Sequence, residues 1–155
     1  MKRLLVMTLC FLLTLPAFAA DGGYKVIYDG GSVQGLKVGN KAELYIDASQ
    51  IRLVNKEGAP LVIPAAAVTE ISYGQDVHRR VGAAIGLAVI SLGVGAIMLL
   101  SKSKKHYVGL TWVNGPEKGG FAMQCDKRDY RGVLAGLEGV TGKKAVDSEA
   151  LTVKN

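Results

Sequence analysis

The stretch Val81–Leu100 reads VGAAIGLAVISLGVGAIMLL, twenty residues without a charge near the middle of a 155-residue chain. As a helix it would be about 30 Å long, the thickness of a bilayer's hydrocarbon core. A helix that is apolar on every side needs either lipid or a large protein around it. A chain of this length does not supply the second, so the expectation is a membrane-embedded helix over residues 78–101. Its lipid-facing residues would include Val81, Leu87, Val89, Ile90, Ile97, Leu99 and Leu100. Gly82, Gly86, Gly93 and Gly95 give small-residue spacings that let a second helix approach, so homo-oligomerisation is a further expectation. Arg79 and Arg80 before the run, and Lys102, Lys104 and Lys105 after it, are placed to contact lipid headgroups.

The N-terminus reads as an export signal, with an uncleaved anchor as the alternative. Lys2 and Arg3 precede the apolar Leu4–Leu15, Pro16 breaks the run, and Ala17-Phe18-Ala19 fits a small-x-small cleavage site. Removal of residues 1–19 leaves a mature chain long enough for one domain. Its charge is mild. Residues 21–80 hold seven basic against seven acidic side chains, and residues 101–155 hold ten against six. Attraction to anionic lipid is compatible with that balance; the dense basic footprint of a nucleic-acid binder is absent. Cys10 leaves with the signal, so Cys125 stands alone and no intrachain disulfide can form. In FAMQC (Phe121–Cys125), alternation places Phe121, Met123 and Cys125 on one strand face, which reads Cys125 as a buried structural thiol.

Short β segments fill the rest. Tyr24–Tyr28, a weaker Ser32–Leu36, Ala42–Asp47, Ile51–Val54, Leu61–Ile63 and Val68–Tyr73 occupy residues 20–77. Asp29-Gly30-Gly31-Ser32 reads as a turn, and Asn55-Lys56-Glu57-Gly58 as a hairpin turn. After the apolar run, His106–Val113 and Phe121–Cys125 read as strands flanking a loop over 114–120. A helix is expected from Lys127, capped by Asp126 and stopped by Gly142. Its apolar stripe is Tyr130, Val133, Leu134, Leu137 and Val140. Three internal glycines, Gly132, Gly136 and Gly139, cost it about 1 kcal/mol each, so it should form only when docked. Residues 143–155 read as a polar tail.

The stretch Leu44–Gly74 contains a hairpin followed by the step Ile63-Pro64, Val68, Ile71, Tyr73-Gly74. Continued by HYVGLTWV, FAMQCD and a terminal helix, it resembles the bacterial PH-like and GRAM-like domains. The resemblance implies a mainly β fold with a C-terminal α-helix, a bent antiparallel barrel plugged at one end. The membrane helix would then be an insert between strands. It also implies a non-enzymatic module that binds a protein or a lipid. Three placements of the apolar run remain open against that fold. They are a full span, a re-entrant hairpin turning near Gly93 and Gly95, and a helix covered by a partner.

No catalytic constellation or metal set emerges, and no cofactor is expected. His78 and His106 lie at opposite ends of the apolar run. Gly93-Val94-Gly95 begins like a dinucleotide fingerprint, but Met98 stands where its third glycine belongs. The expected protein is an exported envelope component whose partners are the membrane, another envelope protein or anionic lipid, and not nucleic acid. The competing reading is a glycine-rich, helix-driven bundle or pore with accessory β segments.

Overall fold

The computed structural model of the protein describes residues 22–56, 58–86 and 105–149. Period-two alternation builds most of it, as a strand with one buried face requires. The strands are β1 (Tyr24–Gly31), β2 (Lys41–Ile46), β3 (Gln50–Asn55), β4 (Leu61–Pro64) and β5 (Val68–Tyr73). Helix α1 (Val77–Ile85) follows, then β6 (His106–Asn114), β7 (Glu117–Cys125), α2 (Tyr130–Thr141) and the two-residue β8 (Val146–Asp147). Along β2 the pattern is plain: Ala42 and Leu44 are buried while Lys41 and Glu43 are exposed.

All eight strands join one sheet in the order β4-β3-β2-β1-β7-β6-β5-β8. Two antiparallel meanders, β1–β4 and β5–β7, meet through the pairing of β1 with β7. Strand β8 adds parallel to β5 at the far edge. One core takes side chains from both meanders: Leu44, Ile51 and Ile63 share it with Ile71, Leu110 and Phe121. The sheet must therefore curl so that its inner face closes on itself. Helix α2 lies against that inner face, with Val133 and Leu137 fully buried and Tyr130, Leu134 and Val140 packed beside them. A Cβ on Gly136 would come within 3.0 Å of Ile46 Cδ1, so this glycine lets the helix approach β2 closely. Close docking offsets its helix-propensity cost of about 1 kcal/mol. The helix ends at Thr141, with Gly142 in the left-handed conformation as its cap.

The expected membrane helix over 78–101 is not what the fold contains. The helix at this place is α1, nine residues long, and it begins before the apolar run with Val77, His78, Arg79 and Arg80. Val77, Val81 and Ile85, at i, i+4 and i+8, form a stripe against the outer face of the sheet. Gly86 then ends the helix in the left-handed conformation, φ 74°. Among the described residues no helix is long and apolar enough to cross a membrane. Counting uncharged residues from Val81 assigned to lipid a helix end that covers β6 and β7 instead. Leu87–Leu100 lie outside the described residues, as do Lys102, Lys104 and residues 1–19.

Smaller corrections follow from tertiary pairing. Ser32–Leu36 is not a strand; Ser32 instead accepts the Gly120 N–H on its hydroxyl and donates its own N–H to the Gly120 carbonyl. The expected loop over 114–120 shrinks to a tight turn, because Gly119 and Gly120 pair with Trp112 and Thr111 inside β7. In the expected polar tail, Val146 pairs with Ser72 and Ser148 is buried.

Candidate functional site

Among the described residues, the outer face of the sheet has a covered half and an open half. On the covered half, α1 lies over β6 and β7, with Val77, Val81, Tyr107 and Ala122 forming a second, small apolar cluster joined by Ile85. Gly109 makes the contact possible: a Cβ there would sit 2.5 Å from Val77 Cγ1 and 2.8 Å from Val81 Cγ2. The N-terminus of α1 is tied down by the chain's C-terminal segment. Ser148 Oγ accepts the Asp76 N–H at 3.2 Å and Glu149 accepts the Gln75 N–H at 3.2 Å. Ser148 itself donates its N–H to the Tyr73 carbonyl.

A buried polar pair sits under the first turn of α1. The register of β1 against β7 slips between Tyr28 and Gly30, which is a β-bulge. Tyr28 belongs to the inner core, and the extra residue aims Asp29 at the outer face. There Asp29 Oδ2 lies 2.7 Å from His78 Nε2, with the two side chains 11% and 13% exposed. The separation is that of an ion pair, but the alignment is not that of a hydrogen bond. His78 Nδ1 has no hydrogen-bond partner among the described residues. The Tyr107 ring stands edge-on to His78 at 5.4 Å. Burial, and secondarily the Asp29 carboxylate, push the Tyr107 phenol up to about 12. This cluster is roofed by α1, so it holds the helix to the sheet and does not face an open site.

Of the residues expected at lipid headgroups, Arg79, Arg80 and Lys105 are described, and Lys102 and Lys104 lie outside the described residues. Arg80 forms a two-pronged ion pair with Glu70, both contacts 3.0 Å, which holds its guanidinium deeper in the charged range. Arg79 is exposed beside a cleft of about 480 Å³ bounded by Glu70, Asp76 and Ser148. The Lys105 carbonyl accepts the Gln75 side-chain amide at 2.8 Å. Of the expected anchor residues, Val81 and Gly82 are buried against the sheet and Gly86 is the exposed helix cap. Leu87, Val89, Ile90, Gly93, Gly95, Ile97, Leu99 and Leu100 lie outside the described residues.

Cys125 is 4% exposed, and burial pushes its thiol up to about 12. His106 stacks flat on Tyr130, ring centroids 4.0 Å apart, tying β6 to α2. Among the described residues no group of three His, Cys, Asp or Glu side chains could hold a metal ion.

On the open half, β7, β1, β2 and β3 carry a groove of about 760 Å³. Cross-strand register sets its floor: Ile27 faces Gln124 on one side and Lys41 on the other, and Lys25 faces Glu43, which faces Val54. Lys56 follows β3 at the Lys41 end, because Asn55 is the partner of Ala42. Sequence reading missed this groove, since its residues come from four strands and show no common spacing along the chain. It also read Asp29 as part of a turn. The Gly30-Gly31 that follows a bulge looks like turn chemistry when the partner strand is unseen.

No family model matches the chain, and no curated protein matches it.

Proposed function

We propose that the chain is an exported, non-enzymatic interaction module of the bacterial envelope, with a PH-like or GRAM-like arrangement of strands. The order of its two meanders, with α2 on the inner face, supports the resemblance. The leader-like sequence at residues 1–19 supports export. Burial of the Asp29–His78 pair beneath α1 supports a structural and not a chemical role for these two ionisable groups.

The carrying observation is the asymmetry of the outer face. Helix α1 seals the half over β6 and β7, while among the described residues nothing covers the half over β1, β2 and β3, above a groove floored by Ile27 and Val54. The inner face and α2 already supply the core, so stability does not call for this groove. An open, part-apolar concavity of this size suits a ligand or partner segment.

Site-specific photo-crosslinking tests the reading. A crosslinking amino acid replaces Val54 in the full chain expressed in an exporting bacterium, with the exposed Ala135 of α2 as the control position. The expected result is a discrete adduct from Val54 alone. Equal labelling at both positions, or none at Val54, refutes the module reading.

A further inference from the structure

Resting on that reading, we infer that the groove takes an extended acidic segment of a partner protein. Its length is the first argument. Four strands about 4.8 Å apart span roughly 14 Å, which is the reach of about four residues of extended chain. A compact headgroup would fill only one end.

Charge is the second argument. On the groove floor Lys25 stands opposite Glu43 in the strand register, and the Glu43 carboxylate accepts the Tyr45 hydroxyl at 2.7 Å. Lys41 and Lys56 differ. They stand side by side at the ends of β2 and β3, both exposed, and neither makes an ion pair among the described residues. Adjacent like charges repel and are a cost to the sheet unless an anion joins them. The lined-up sequence Gln124, Ile27, Lys41, Lys56 therefore offers an amide, an apolar contact and two cations in one row. A segment that alternates acidic and apolar side chains complements that row, with carboxylates at the lysines and an apolar residue on Ile27 or Val54.

The test uses the purified full-length chain and a fluorescein-labelled peptide of alternating aspartate and valine, read by anisotropy at low salt. The expected result is saturable binding, weakened at least tenfold by Lys41→Glu with Lys56→Glu and unchanged by Lys143→Glu on the far side. A lysine–valine peptide should not bind. Absence of saturable binding, or equal binding by the double variant with an unchanged melting curve, overturns the proposal. So does binding to phosphatidylglycerol vesicles that the same double variant abolishes, which would assign the groove to anionic lipid. A Val54 adduct without peptide binding refutes the acidic segment but leaves the module reading standing; loss of the adduct refutes both.

Discussion

Asp29 Oδ2 approaches His78 Nε2 to 2.7 Å, and this contact joins the bulge of β1 to the first turn of α1. It lies beside the apolar seam of Val77, Val81, Tyr107, Ala122 and Ile85, away from the exposed-side Arg80–Glu70 pair. Removing one partner strands the other in a buried place. Asp29→Ala and His78→Ala should each cost about 2 kcal/mol in urea unfolding. A double-variant cycle should show coupling of about 1 kcal/mol or more. Strict additivity would mean that the two side chains do not act on each other.

Close approach of α1 depends on the missing side chain at Gly109. Gly109→Val should lift α1 from the sheet, because its new methyl groups would occupy the space of Val77 and Val81. Trypsin should then cut after Arg79 and Arg80 much faster than in the parent chain. Unchanged cleavage would show that α1 reaches its place without that contact.

Leu137 is fully buried where α2 enters the core. Leu137→Ala should destabilise the fold by about 3 kcal/mol through lost burial and the cavity left behind. Ala135 is exposed on the same helix, and Ala135→Ser should change stability by less than about 0.5 kcal/mol. Equal effects would contradict the placement of α2.

Tyr107 gives an alkaline prediction. Its ordinary value is 10.0 and its folded value is about 12, so the unfolded chain loses this proton first as pH rises. The folded state's advantage is complete below pH 10 and is lost progressively toward pH 12. Tyr107→Phe should flatten that part of the stability curve in urea unfolding measured from pH 9 to 12. An identical slope in the variant would assign the loss to other groups.

Asp47 gives the acidic counterpart. The Arg52 side chain, 2.8 Å away, holds the Asp47 carboxyl below its ordinary range. This contribution is present above the unfolded value near 4 and fades as pH falls through the lower folded value. Arg52→Leu should move the Asp47 titration midpoint upward in a carbon-13 NMR titration. A midpoint that stays put would remove Arg52 as the cause.

Local sequence determined the strands whose two faces differ. Val68–Tyr73 has the same bounds in the sequence reading and in the fold, and the α2 stripe from Tyr130 to Val140 packs as its spacing indicates. Buried Cys125 was equally legible, because alternation alone fixes a face. What tertiary structure decided was the use of each outer face. Val81–Ile85 looks like the start of a bilayer segment until β6 and β7 offer Gly109 and Ala122 as a seat for it. Asp29 looks like a turn residue until β7 imposes the bulge that turns it toward His78. The open groove exists only because pairing brings Gln124 next to Ile27 and Ile27 next to Lys41. Hydrophobic period is written in neighbours along the chain, whereas coverage depends on which distant strand arrives beside them, and that is set by the closure of the whole sheet.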